Sequence, residues 1–250
     1  MPSLEISTVM FDLGDTLFEP LNSKFIKKNL EDVAHTVNFN NGTLELLSEF
    51  RITRNRIEHE LSASNLTFYL HREFIGKVLV SMFESFGYSI EVKVVEQFCD
   101  AQRDAVIANL RPRKDCVTTL ERFRALGYKL AIVSNIDDEW LEPIKEHWNL
   151  DRFVDGVLSS EEARSCKPDS SIFFQACRMI DVHPQQVIFV GDSAVNDVAG
   201  SRNVGMNPIW FDAGGTKPGH ESTPSITELS ELEDIIAPEA IRREMRFSDN

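Results

Sequence analysis

The sequence predicts an α/β fold: a Rossmann-like, doubly wound parallel sheet that carries an inserted α-helical (four-helix) domain. Three observations predict it. Short apolar runs with a β-branched bias alternate with helical patterns through the C-terminal part of the chain. A long stretch of purely helical periodicity separates the first of those runs from the second. Four strand ends carry polar residues, where an open parallel sheet places its ligands. With 250 residues, 42 % of them hydrophobic, the chain is long enough for a core plus a smaller insert.

The first predicted strand is Ile6 to Asp12, which ends abruptly in an acid. From Leu21 to about Asn109 four apolar stripes follow at helical spacing. They are Phe25, Leu30, Val33, Val37; then Leu44, Leu47, Phe50, Ile57; then Val78, Val80, Met82, Phe83, Phe86; then Val94, Val95, Phe98, Ala105. Asn41-Gly42, Ser62 to Asn65 and Phe86-Gly87-Tyr88 break them apart. The expected organisation is therefore a core of residues 1–17 and 109–250, with residues 18–108 as a four-helix insert. A helix at Val117 to Leu126 leads to a strand at Lys129 to Ser134. The alternation continues with helix Glu139 to Trp148, strand Val154 to Leu158, helix Ser171 to Ile180 and strand Val187 to Val190. Helix Val195 to Val204, strand Pro208 to Phe211 and a last helix at Ser225 to Ile236 complete it. Gly214-Gly215-Thr216-Lys217 lacks the full phosphate-loop spacing and reads as a surface loop.

A formal charge of −14, from 26 basic and 40 acidic side chains, argues against a nucleic-acid partner, which needs clustered Lys and Arg. An anionic substrate would need a local positive site or a bound cation. Cys99, Cys116, Cys166 and Cys177 form no C-x-x-C pair, which favours a reduced setting over zinc or disulfides. Met1 to Val9 lacks the pattern of a signal peptide, and no apolar run approaches membrane-spanning length. The expectation is a cytoplasmic protein without a membrane partner.

Chemistry gathers at the strand ends: Asp12-Leu13-Gly14-Asp15-Thr16, Ser134-Asn135, Cys166-Lys167-Pro168-Asp169, and Gly191 to Asp197, G-D-S-A-V-N-D. A carboxylate at the end of the central strand is a nucleophile toward phosphorus or carbon. A second carboxylate with a backbone carbonyl makes an oxygen-rich site for a hard cation such as Mg²⁺. A Ser hydroxyl and a Lys ammonium suit the oxygens of a transferring phosphoryl group.

In this order the motifs resemble the haloacid dehalogenase-like hydrolase superfamily over nearly the whole chain. The resemblance implies a helical cap inserted after the first motif and an aspartyl-enzyme intermediate on Asp12. It implies Mg²⁺ held by Asp12, the Gly14 carbonyl and Asp192, with Asp197 in support. It also implies a phosphoryl group held by Thr16, Ser134, Asn135 and Lys167. One position departs from the pattern. The family's phosphatases usually carry an Asp general acid two residues beyond the nucleophile, and here that residue is Gly14. Asp15 comes one residue later; extended residues alternate sides, so a turn role is expected for it.

Arg51, Arg54 and Arg56 read as a solvated face with Glu58 and Glu60, a substrate-gripping arginine among them being the alternative. The six histidines, including His35, His59 and His71, show no metal-ligand pairing. Cys166 beside Lys167 reads as structural. The leading expectation is a Mg²⁺-dependent phosphatase of a small phosphorylated metabolite, monomer or homodimer. Its rivals are a 2-haloacid dehalogenase, which also lacks the acid at the Gly14 position, and a catalytically weak family member kept for binding.

Overall fold

The computed structural model describes residues 5–39, 45–62, 64, 66–215 and 223–236. From β1 (Thr8–Phe11) the chain makes a turn at Leu13–Leu17 and enters α1 (Ser23–Thr36), α2 (Leu46–Ser62), α3 (His71–Ser85) and α4 (Val92–Asn109). It then alternates: α5 (Cys116–Ala125), β2 (Lys129–Ser134), α6 (Asp138–Trp148), β3 (Gly156–Ser159), α7 (Ser160–Ala163), α8 (Ser170–Met179) and β4 (Val187–Gly191). α9 (Gly200–Asn203), β5 (Asn207–Phe211), β6 (Ser225–Ile226) and α10 (Leu232–Ile236) end the described chain. The six strands form one parallel sheet in the order β3-β2-β1-β4-β5-β6, which leaves β1 well inside it.

Alternation along the strands builds two cores, because successive side chains face opposite ways. Val9, Phe11, Leu130 and Ile132 pack against Leu120, Phe123, Trp140 and Ile144 of α5 and α6. Met10, Ala131, Val133 and Phe189 pack on the other face against Ile172, Phe173, Ala176 and Cys177 of α8. Phe173 meets Phe189 edge-on at 5.2 Å. Both faces are thus covered by helices, as a doubly wound parallel sheet requires. Each fully buried Leu, Phe or Ile contributes roughly 1.5–3 kcal/mol.

The four helices between β1 and β2 share a separate core of Leu30, Val33, Phe50, Ile57, Val78, Met82, Phe83 and Phe98. Asn22 caps α1, its carbonyl accepting the Lys24 N–H at 3.0 Å. Gly87, at φ +82°, closes the end of α3 in the left-handed region that glycine tolerates. The two links to the sheet run side by side: Phe18 pairs with Pro112 in an antiparallel bridge. The Glu19 N–H donates to Arg111 O and the Arg113 N–H to Leu17 O, each at 2.9 Å.

Two elements differ from the expected ones. Val195 to Val204 is not one α-helix; Ala194–Ala199 is a wide coil, in which the Val198 N–H reaches back to Ser193 O at 3.1 Å. That wide turn lets the Asp197 carboxylate accept the Ser193 N–H at 2.9 Å. At the tail, Ser225–Ile226 is a strand rather than the start of a helix, with Trp210 across from Ser225 and Phe211 from Ile226. Pairing there satisfies backbone groups along β5 and buries Ile226. Leu44, the Asn41-Gly42 break, Thr216-Lys217 and the polar end lie outside the described residues. Among the described residues, no helix is long and apolar enough to cross a membrane.

Candidate active site

The parallel register brings the motif-bearing segments to one edge of the sheet. Phe11 lies across from Ile132 on one side and Val190 on the other, so Asp12 emerges beside the ends of β2 and β4. Its N–H still donates to Val190 O at 2.9 Å, which holds its backbone to the sheet. Beyond it the chain turns. Gly14 remains extended, and Asp15 takes φ +61°, a left-handed conformation that Asp tolerates better than most residues. Arg113 braces this turn, donating to Thr16 O at 2.8 Å and Asp15 O at 2.6 Å. Asp15 is exposed at the turn, and no atom lies within 4 Å of where a Gly14 β-carbon would stand.

Lys167 is the hub of the cluster. Its Nζ donates to Asp12 Oδ1 at 2.6 Å, to Asp197 Oδ1 at 2.6 Å and to Val133 O at 3.0 Å, which occupies all three ammonium protons. It is only 4 % exposed, and Asp12 and Asp197 are also buried. Burial raises the Asp12 carboxyl to about 6, against the pull of the Lys167 charge. Burial alone would lower Lys167, but the charges of Asp12 and Asp197 outweigh it and hold the ammonium above its usual range. Gly191 is required by packing: a β-carbon there would stand 2.3 Å from Asp197 Cγ.

Carboxylate oxygens of Asp12, Asp192 and Asp197 lie within 4.8 Å of one another. Three carboxylates against one ammonium leave the cluster negative, and an all-oxygen donor set suits a hard divalent cation. Ser134 is buried at the end of β2. The Asn135 side chain ties two loops together, accepting the Lys167 N–H at 2.7 Å and donating to Lys167 O at 2.9 Å. Thr16 is fully buried, and its hydroxyl has no hydrogen-bond partner among the described residues.

Opposite these loops, the helical segment forms the other wall of a crevice lined by Arg54, Tyr69, His71, Asn135, Cys166 and Asn196. Arg56 pairs with Glu60 at 2.9 Å on the exposed face, as the charge pattern suggests. Arg54, on the same helix, instead borders the crevice. Burial, and then the Arg54 charge, depress His71 to about 4, so its imidazole is neutral at pH 7. The buried Cys166 donates through Sγ to Tyr69 O at 3.4 Å, and burial pushes its thiol up, which makes it inert. Reading motifs alone missed His71, Tyr69 and Asp137. The available signal was the start of α3 at Leu70-His71, where the sequence supplies no Ser, Thr, Asp or Asn to cap it.

The family model described as haloacid dehalogenase-like hydrolase matches residues 6–205. The chain belongs to this family. It is 35 % identical over 126 residues to (S)-2-haloacid dehalogenase 4A of Burkholderia cepacia, covering 49 % of this chain and 54 % of that one. It is 31 % identical over 130 residues to glyceraldehyde 3-phosphate phosphatase of Methanopyrus kandleri, covering 51 % of this chain and 55 % of that one. The matched stretches thus span little more than half the length of these two relatives. Among solved structures, a magnesium-bound HAD hydrolase of Bacillus subtilis, YfnB, superposes with a TM-score of 0.73 at 17 % identity, covering 93 % of this chain and 99 % of that one. At that identity the likeness shows the fold alone. The protein is therefore a HAD-like hydrolase, with relatives of both dehalogenase and phosphatase name.

Proposed function

We propose that this HAD-like hydrolase is a Mg²⁺-dependent phosphohydrolase of a small phosphorylated metabolite, working through an aspartyl-phosphate on Asp12. One observation carries the reading: the two carboxylates of the last motif, Asp192 and Asp197, gather with Asp12 within 4.8 Å. Halide displacement at carbon needs no cation beside the nucleophile, whereas a phosphoryl dianion needs its charge balanced there, and Asp192 adds an oxygen donor for such a cation. The donor set fits the cation. Asp12, the Gly14 carbonyl and Asp192 would hold it, while Asp197, already bonded to Lys167 and the Ser193 N–H, would steady the arrangement. Bound Mg²⁺ supplies charge neutralisation and orientation of the phosphoryl oxygens.

The chain's own residues do the rest. The Asp12 carboxylate attacks phosphorus in line, forming the acyl phosphate as the leaving oxygen departs. Lys167 and Ser134 hold phosphoryl oxygens, with Thr16 and Asn135 beside them in the same loops. Lys167 also keeps Asp12 ionised against its burial. We read residues 18–108 as a cap whose crevice wall, bordered by Arg54 and His71, chooses the substrate and excludes water. Water then hydrolyses the intermediate. With no acid at Gly14, the leaving group must depart largely unassisted, so aryl, acyl and anomeric phosphates are favoured over simple alkyl esters.

A second reading, a 2-haloacid dehalogenase, is favoured by Gly14 itself, because halide leaves without a proton. A panel of phosphorylated metabolites assayed with Mg²⁺ and with chelator tests the proposal. Mg²⁺-dependent phosphate release supports it; chloride release from a 2-chloro acid in chelator overturns it.

A further inference from the structure

α3 begins without a capping residue of its own: Leu70 precedes it, and no side chain from the local sequence accepts its first N–H groups. The acceptor comes from the loop that follows β2. Asp137, three residues beyond Ser134, directs its carboxylate onto the start of α3, where Oδ1 accepts the His71 N–H at 2.6 Å and Oδ2 the Arg72 N–H at 2.8 Å. The carboxylate is 2 % exposed, and this is the geometry of an N-terminal cap, supplied by a residue 66 positions away. Charge-assisted bonds of this length are among the strongest of their kind.

The same short segment is stitched a second time, by the other catalytic loop. The Cys166 N–H donates to Thr67 O at 2.7 Å, and its thiol to Tyr69 O. The Asn135 amide joins these two loops through both backbone groups of Lys167. On the outside, Arg72 and Arg103 pair with Glu139 at 3.2 and 3.1 Å, exposed contacts that add little. The strap 67–72 is therefore held at both ends by the loops that carry Ser134 and Lys167, and it presents Tyr69 and His71 to the crevice.

We infer that Asp137 is a positioning residue for substrate recognition. It touches no substrate; by capping α3 it seats the strap, so that the Tyr69–His71 wall stands at a fixed distance from Asp12 and Lys167. This rests on the reading of the crevice as the substrate site. Loss of the cap should loosen the wall and weaken substrate binding more than it slows the chemical step.

The variants Asp137→Asn and Asp137→Ala test this. The amide offers one acceptor oxygen and turns an NH₂ group toward the other N–H, so Asp137→Asn keeps the size of the side chain while failing to satisfy both donors. Hydrogen exchange on the whole protein should show the amides of His71 and Arg72 exchanging at least about tenfold faster in either variant, with β2 unchanged. With p-nitrophenyl phosphate and Mg²⁺, KM should rise about fivefold or more while kcat stays within about threefold. Unchanged exchange at the start of α3, or a fall in kcat at constant KM, overturns the inference. If the wild-type enzyme releases no phosphate, the phosphatase reading fails, and the exchange measurement alone decides whether Asp137 docks the strap.

Discussion

Replacing Asp12 with Asn sets desolvation against ion pairing within one side chain. The carboxylate is buried, which raises its pKa from 3.8 to about 6 even though Lys167 Nζ lies 2.6 Å away. Burial therefore outweighs the attraction. A carboxyl whose folded pKa lies above its unfolded value favours folding while protonated: its contribution is complete below pH 3.8 and is lost as pH rises through about 6. The gap of about two units corresponds to roughly 2–3 kcal/mol. Asn has the same shape and no charge to bury, and Lys167 keeps its second partner, Asp197, at 2.6 Å. In metal-free buffer with chelator, urea unfolding from pH 4 to pH 8 should show the Asn variant gaining on the wild type as pH rises. The advantage should be near zero at pH 4 and about 2–3 kcal/mol by pH 8. Turnover should meanwhile fall by at least about a hundredfold, or roughly 3 kcal/mol in the barrier, because an amide is a poor nucleophile. A variant less stable than wild type at pH 8, with a difference that does not change with pH, would refute the reasoning: attraction to Lys167 would then exceed desolvation.

Lys167→Met removes the ammonium bonded to two buried carboxylates and should destabilise the protein by about 3–5 kcal/mol at pH 7, measured by urea unfolding, with the loss shrinking at pH 5 as Asp12, raised to about 6, takes up a proton. Asp192→Asn should weaken Mg²⁺ binding in calorimetry by at least about tenfold with little change in melting temperature; equal affinities would make Asp192 a structural residue only. Gly14→Asp meets open space at a backbone angle any residue adopts, so it should fold normally and raise turnover of alkyl phosphates more than of aryl phosphates. Asp15→Asn, by contrast, should leave the alkyl-to-aryl ratio unchanged, since Asn tolerates the same left-handed turn; a selective loss on alkyl esters would make Asp15 the displaced acid.

What could be read in advance follows the range of the forces involved. β2 coincides with its expected run, Lys129 to Ser134, because a β-branched apolar segment bounded by polar residues is a local signal. The four helices of the insert appear where their apolar stripes predict, since a shared core demands helical spacing. The wide coil at Ala194–Ala199 was not legible, because a tertiary contact sets it: Asp197 returns to Gly191 and Lys167, and the local pattern suits an ordinary helix equally well. β6 is two residues long and forms only because β5 offers an edge. At the site, the motifs single out Asp12, Lys167, Asp192 and Asp197, which the fold brings together, but no motif reveals that Asn135 ties the Lys167 loop to β2. Asp137 was the hardest to see. A cap that joins residues 66 apart leaves at most a negative trace, a helix that starts with nothing to cap it.

The acidity of the chain and its proposed anionic substrate are reconciled at the scale of this cluster. A formal charge of −14 is spread over a surface where solvent and salt screen it beyond about 10 Å. The substrate meets instead three carboxylates and one ammonium, whose protons are already directed to Asp12, Asp197 and a carbonyl. Such a cluster repels a phosphate dianion until positive charge is added, and its oxygen donors suit a hard divalent cation better than a soft one. Lys167 alone does not provide that balance, because both of its carboxylate partners lie at 2.6 Å and offset its charge. The lysine's first role is therefore internal: it bonds both buried acids at 2.6 Å and holds them close together. In the proposed mechanism the cation that those acids would gather adds to the hold of Ser134 and Lys167 on the phosphoryl group, and an Asp12 carboxyl raised only to about 6 is still ionised, and so able to attack, at neutral pH.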